Sequence, residues 1–227
     1  MAVARESGWR VVEAAFERSA TRHEDCPSDD LPEVAVVGRS NVGKSSLLNA
    51  VCRQQGLARV SRTPGRTQLI NLFRLVLQAP DKTRRILRCA DLPGYGFAAT
   101  DRQTRERFAP MIGGYLAERP PLRALCLLVD LRRGIGDLDR IMLETAGEAA
   151  VPVLVVATKS DKLGAAERGL ARQRIAADLG IAKAAVRLTS ASSRLGLDER
   201  GGLVDDLADF AEAPPRTRAS DEDGGAA

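Results

Sequence analysis

The sequence predicts an α/β fold: a six-stranded, mostly parallel sheet with helices on both faces. Three observations carry this. From Glu33 onward, strand-like and helix-like segments alternate, the pattern of βαβ units. The first of these strands runs into a glycine-rich turn and then directly into a helix-forming stretch. At 227 residues and 44% apolar content, the chain is long enough to bury one full core of this kind.

The elements follow in order. Residues 9–18 (WRVVEAAFER) carry apolar positions at helical spacing and predict a helix within an N-terminal extension, residues 1–30. Residues 33–37 (EVAVV) are a buried strand ending at Gly38, and 44–53 form a helix. Residues 69–77 and 84–90 flank the turn Ala79-Pro80-Asp81-Lys82 and predict an antiparallel hairpin. A charged helix follows at 101–118, then a strand at 124–130, a helix at 137–149 and a strand at 152–158. A helix at 165–179, a strand near 184–189 and a closing helix at 199–212 complete a domain spanning 31–212. Residues 213–227 are mostly Pro, Gly, Ala and acidic residues without apolar periodicity, so a disordered tail is expected there.

Composition excludes several classes. No run of eighteen apolar residues exists to span a membrane, and Arg5, Glu6, Arg10 and Glu13 interrupt any signal-peptide core. Cys26, Cys52, Cys89 and Cys126 form no CxxC pair, and His23 is the single histidine, so zinc-ligand spacing is absent. A reduced, cytoplasmic chain is expected. The net charge is +4, and the acidic tail residues Asp221, Glu222 and Asp223 leave the remainder more basic still. A basic surface attracts polyanions without saying which.

Five segments carry chemistry. Gly38-Arg39-Ser40-Asn41-Val42-Gly43-Lys44-Ser45 matches GxxxxGK[ST], between a strand and a helix that continues through Ser46. Its glycines let backbone N–H groups turn inward around a β-phosphate at the positive end of the helix. Lys44 supplies a cation to the β- and γ-oxygens, and the Ser45 hydroxyl suits Mg²⁺. Asp91-Leu92-Pro93-Gly94 ends a strand; Asp91 can hold Mg²⁺ through water, and Gly94 can offer its N–H to a γ-phosphate. Between them, Gly56 to Gln68 is a polar loop in which Thr67 is the candidate second Mg²⁺ hydroxyl and Thr63 the alternative. A hydroxyl recruited only by the triphosphate makes loop order depend on hydrolysis.

Thr158-Lys159-Ser160-Asp161 follows a strand, where an open α/β sheet places its ligand loops. The Asp161 carboxylate can accept from guanine N1–H and the 2-amino group, and adenine presents neither donor there. Lys159 can pack its stem over the base. Thr189-Ser190-Ala191 follows the last strand and suits a backbone N–H contact to guanine O6. These residues select GTP over ATP.

Taken together, LPEVAVVGRSNVGKSSLLNA (31–50), SRTPGRTQLIN (61–71), DLPGYGFA (91–98), LVDLRRG (128–134) and TKSD (158–161) resemble the EngB family, also called YihA or YsxC. This is a group of bacterial ribosome-biogenesis GTPases in the TrmE-Era-EngA-EngB-septin-like set. The resemblance covers about residues 30–212. It implies a Ras-like P-loop GTPase domain that binds GTP or GDP with Mg²⁺ and hydrolyses GTP to GDP and phosphate. It further implies a switch role in assembling the large ribosomal subunit, with rRNA and ribosomal proteins as partners, a monomeric chain, and a link to cell division and septation through growth. It assigns the switch threonine to Thr67, within Gly65-Arg66-Thr67. The segment Thr189-Ser190-Ala191 departs from the family's usual Ser-Ser pair.

Tyr95 stands where Ras-type proteins carry the glutamine that orients attacking water, so unaided hydrolysis should be slow. The catalytic candidates are Lys44, Thr67, Gly94 and Asn41, the last resembling an asparagine that coordinates K⁺ in cation-dependent relatives. K⁺ or a ribosomal partner would then supply the missing positive charge, with a purely structural Asn41 as the alternative. Arg59, Arg62, Arg66, Arg102, Arg105 and Arg107 are candidate rRNA contacts. The competing reading is a nucleotide-gated interaction protein that hardly turns over. Arg132 and Arg133 have no contact that sequence alone assigns.

Overall fold

The computed structural model describes residues 8–58, 69–95 and 102–216, with the side chains of 102–109 left aside. Its sheet has seven strands: β1 (Arg10–Ala20), β2 (Glu33–Gly38), β3 (Ile70–Gln78), β4 (Arg84–Asp91), β5 (Leu122–Asp130), β6 (Val153–Thr158) and β7 (Val186–Leu188). Their spatial order is β1-β3-β4-β2-β5-β6-β7. The pairs β1/β3 and β3/β4 are antiparallel; the other four pairings are parallel. Central β2 and β5 are buried at every position, as strands covered on both faces must be.

Among the described residues five α-helices cover the sheet: α1 (Lys44–Val51), α2 (Arg102–Glu118), α3 (Asp137–Glu148), α4 (Ala165–Leu179) and α5 (Leu203–Glu212). Ile112, Tyr115 and Leu116 of α2, Met142 and Ala146 of α3, and Ile175 and Ala176 of α4 pack on one face. Leu47, Leu48 and Val51 of α1 and Leu203, Val204 and Leu207 of α5 pack on the other. The predicted α/β class with helices on both faces is therefore present. Aliphatic side chains dominate both cores, in keeping with an aromatic content of 4%.

One expectation is overturned. Residues 9–18 do not form a helix: β1 is an edge strand paired with β3, which raises the strand count from six to seven. The physical reason lies in two bulges, between Val11 and Glu13 and between Phe16 and Arg18. Each inserts one residue and breaks the period-two alternation. The inward-leaning positions then become Val11, Ala14, Glu17 and Ala20, three apart, which imitates a helical stripe. The bulge residue Glu17 uses its displaced carboxylate to accept from Arg88 Nε at 2.6 Å. Arg88, buried in β4, also forms a bidentate pair with Asp29 at 2.9 Å. Beside it, fully buried Glu33 accepts from Arg119 and from the Tyr115 hydroxyl. This ion network ties β1 and the loop after it to β4, β2 and α2. Smaller adjustments are that α5 begins at Leu203 rather than 199 and that β7 is only three residues long.

All four cysteines are free and buried. Burial pushes the Cys52 and Cys126 thiols up to about 12 and Cys26 to about 11, so they are packing residues at neutral pH.

Candidate functional site

The site gathers at the carboxyl ends of the parallel strands, where β2 ends at Gly38, β4 at Asp91, β5 at Asp130, β6 at Thr158 and β7 at Leu188. Neighbouring strand ends are in register: Gly38 lies opposite Leu128, Asp91 opposite Val36, and Asp130 opposite Thr158.

The turn 38–45 is shaped by backbone conformations its residues allow. A Cβ on Gly38 would fall 2.8 Å from the Leu128 carbonyl oxygen, so β2 can approach β5 there only without a side chain. Asn41 (φ 65°) and Gly43 (φ 105°) are both left-handed, and Gly43 opens α1 as its N-cap. The first turn of α1 carries Lys44, Ser45 and Ser46, so its free N–H groups face the turn.

Lys44 Nζ is hydrogen-bonded to Asp91 Oδ1, the two side chains meeting at the ends of α1 and β4. Burial pushes the Asp91 carboxyl above its ordinary value, against the pull of Lys44 and Asn71. A buried carboxylate that holds a cation beside it, with the Ser45 hydroxyl one residue beyond Lys44, is an oxygen donor set that fits Mg²⁺. Among the described residues no group of three acidic, histidine or cysteine side chains makes an all-protein metal cage. The set therefore suits an ion completed by phosphate oxygens and water. Thr67, Gly65 and Arg66 lie outside the described residues, as does Thr63.

The Asp91–Tyr95 segment is stapled to the turn. Leu92 N–H donates to Val36 O at 3.0 Å, Tyr95 N–H to Gly38 O at 3.2 Å, and Ser40 N–H to Tyr95 O at 2.7 Å. Gly94 sits against this pairing; a Cβ there would lie 3.2 Å from Gly38 O and 3.6 Å from Ser40 N. The Tyr95 side chain turns into the core, and its hydroxyl donates to Asp139 Oδ1 at 2.5 Å. Burial, then the Asp139 carboxylate, pushes the Tyr95 phenol well above its ordinary range. It is a neutral donor.

The 158–161 loop is bound to the 38–45 turn. Thr158 Oγ1 donates to Val42 O at 2.7 Å, and Lys159 Nζ donates to Asn41 O at 2.6 Å. Lys159 itself is left-handed (φ 58°), and its stem passes Gly43, with Cε 3.7 Å from where a Cβ would be. Asp161 is held by Ser190, whose Oγ donates to Oδ1 at 2.7 Å; that bond keeps the carboxyl below its ordinary value. Ser190 Oγ in turn accepts from Ser193 N–H at 3.1 Å and bonds Ser192 Oγ at 3.1 Å. The Ser160 N–H donates to Thr189 O. The Thr189 and Ser190 N–H groups donate to Ala157 O and Leu195 O.

Sequence reasoning missed three supports. Asp130 accepts from Arg132 Nε at 3.0 Å and Nη2 at 2.7 Å, and lies 3.1 Å from Lys159 Nζ. Burial opposes ionisation of Asp130, but Arg132 and Lys159 outweigh it and hold the carboxyl well below its usual range. Arg132 thus has its contact, and the acid ending the apolar run ALCLLVD was the available signal. Asp139 is fully buried and caps α3 by accepting Gly136 N–H at 2.9 Å. Gly196 is left-handed (φ 70°), and a Cβ on it would fall 1.9 Å from Leu188 O. Nothing in the local sequence distinguishes it from the glycines around it.

Residues 33–159 match the family model described as 50S ribosome-binding GTPase. A probable GTP-binding protein EngB from Anaeromyxobacter dehalogenans (strain 2CP-C) is 43% identical over 213 residues, covering 93% of this chain and 97% of that protein. Another, from Geobacter sulfurreducens, is 44% identical over 188 residues, 83% of this chain and 87% of its own length. Among solved structures, a probable GTP-binding protein EngB aligns with a TM-score of 0.57 at 19% identity, covering 79% of this chain and 98% of that one. Era from Aquifex aeolicus, bound to GDP and AlF4⁻, aligns with a TM-score of 0.57 at 22% identity over 82% of this chain and 58% of that one. These structural likenesses share the fold.

Proposed function

The chain belongs to the EngB family of GTP-binding proteins and is a P-loop GTPase; on that premise we propose that it is a slow, Mg²⁺-dependent GTP switch acting in assembly of the large ribosomal subunit. The observation that carries the nucleotide part of this reading is the double tie between base loop and phosphate turn, Thr158 to Val42 and Lys159 to Asn41. One ligand spanning both loops, with phosphates at Lys44 and a guanine at Asp161, accounts for that arrangement.

In this reading the α1 N-terminus and the 38–45 turn hold the phosphates, and Lys44 leaves Asp91 to meet the β- and γ-oxygens. Ser45, Asp91 and Thr67 would hold Mg²⁺, which would supply positive charge to offset that of the phosphate oxygens. Gly94 donates its N–H to the γ-phosphate. Asp161, kept ionised and oriented by Ser190, accepts from guanine N1–H and the 2-amino group, while Ala191 N–H meets O6. Tyr95 is committed to Asp139 and cannot orient water, which supports slow intrinsic hydrolysis. Asn41, left-handed and exposed at the turn, suits a K⁺ ligand that would add the missing charge.

Ribosomal partnership rests on the family and on the basic composition, with Arg59, Arg62, Arg66, Arg102, Arg105 and Arg107 as candidate contacts; these side chains lie outside the described residues. No helix among the described residues is long and apolar enough to cross a membrane, and we place the protein in the cytoplasm as a monomer. A role in cell division and septation would follow through growth. The burial of Tyr95 also favours a second reading, in which GTP mainly gates an interaction and turnover is incidental. Cosedimentation with ribosomal subunits in GDP and in a non-hydrolysable GTP analogue tests the switch; equal binding in both states refutes it. Single-turnover hydrolysis in K⁺ and in Na⁺, with and without subunits, separates the two readings. Acceleration by either supports the enzyme switch, and flat rates support the gated binder.

A further inference from the structure

Tyr95 is fixed at both ends. Its backbone N–H and carbonyl are bonded to Gly38 and Ser40, and its phenol reaches the other way, into the first turn of α3. There it meets Asp139, which is fully buried and whose second oxygen accepts the Gly136 N–H that opens the helix. One carboxylate therefore holds the residue after Gly94 and the start of α3 at once. Arg39 borders the same cluster: a Cβ on Gly136 would fall 2.8 Å from its guanidinium. Gly94 is adjacent to Tyr95 and has no side chain of its own to set its place, so its position along the β2 end is inherited from Tyr95.

We propose that Tyr95 is a positioning residue for the γ-phosphate sensor, its bond to Asp139 setting Gly94 N–H and linking that N–H to the N-terminus of α3. The inference rests on the reading that Gly94 meets the γ-phosphate. The linkage has a direct chemical consequence. A γ-phosphate that accepts from the pre-placed Gly94 N–H fixes Tyr95, and Tyr95 in turn fixes the carboxylate that caps α3. The nucleotide state is then felt at the loop carrying Arg132 and Arg133, which precedes that cap and is exposed. GDP, lacking the γ-phosphate, makes no such demand.

The test measures dissociation constants of the full-length protein for GDP and for a non-hydrolysable GTP analogue, both with Mg²⁺, in wild type, Y95F, D139N and the double variant. D139N keeps a side-chain oxygen for the Gly136 N–H and turns an uncharged amide to the Tyr95 hydroxyl, so it weakens the same bond from the other side; thermal melting monitors the fold. Loss of one charge-assisted hydrogen bond predicts that each single variant loses about fivefold to twentyfold in analogue affinity, with GDP affinity unchanged. The double variant should lose no more than either single, because both act through one bond. Amide exchange in the first turn of α3 should be slower with analogue than with GDP in wild type, and indifferent to nucleotide in Y95F. Equal losses for both nucleotides, additive losses, or no loss overturn the proposal. If wild type itself fails to distinguish analogue from GDP at α3 and in affinity, the reading of Gly94 as sensor fails first.

Discussion

Replacing Thr158 by Val removes one hydroxyl and almost no volume. That hydroxyl is buried and donates at 2.7 Å to Val42 O, with a longer contact to Val129 O at 3.2 Å. Val keeps the branched shape but not the donor. The Val42 carbonyl would then be left without its partner in a place water does not reach, which costs about 1–3 kcal/mol. For a chain of this length that corresponds to a melting temperature lower by about 5 °C. The bond also joins the phosphate turn to the base loop, so the same loss should appear in nucleotide affinity. GDP and GTP should both bind about tenfold more weakly, by the same factor, because neither the γ-phosphate nor the base contact is touched. Calorimetric titration of each nucleotide, alongside thermal denaturation of the free protein, checks both numbers. A variant that melts lower but binds both nucleotides as wild type does would refute the idea that this tie sets the geometry of the site.

Two further outcomes follow from the same geometry. Gly196→Ala places a Cβ within 1.9 Å of Leu188 O in a left-handed residue, so β7 or the loop 189–196 must shift; guanine nucleotide affinity should fall by more than about tenfold and stability by more than about 2 kcal/mol, read by titration and denaturation. Asp130 has its carboxyl held below the ordinary range by Arg132 and Lys159. Its contribution to stability is therefore complete above the usual carboxylate range and is lost as pH falls through its lowered value. Asp130→Asn should show a shallower acid-induced loss of stability than wild type, and a weaker nucleotide affinity through the released Lys159; identical acid profiles would contradict this.

The residues proposed to meet the nucleotide were the legible ones, because that chemistry restricts both type and spacing. Gly43 is left-handed where it opens α1, Lys44 and Ser45 follow it, and Asp161 stands in the 3-10 turn Ser160–Lys162 just past the end of β6. Each requirement leaves a mark in a few consecutive letters. The strands β2, β5 and β6 were equally plain, since burial on both faces demands unbroken apolar runs. The supports were not legible, because they are long-range. Asp139 meets Tyr95 across 44 residues, and Ser190 meets Asp161 across 29. Strand β1 was misread for a different reason: two bulges shifted its inward positions to a spacing of three. A pattern read in one dimension cannot separate that from a helix without knowing that β3 waits to pair with it.

The account stands most directly on Asp161 as the reader of guanine. Asn in its place keeps one oxygen to accept from N1–H but replaces the acceptor of the 2-amino group with an amide donor, which suits the C2 carbonyl of xanthine instead. Titration of GDP, xanthosine diphosphate and ADP into wild type and Asp161→Asn measures this. Wild type should prefer GDP and ignore ADP. With the N1–H bond made neutral and an amide donor set against the 2-amino donor, Asp161→Asn should bind GDP at least about a hundredfold more weakly and take xanthosine diphosphate in preference. A variant that binds GDP as tightly as wild type would contradict the account.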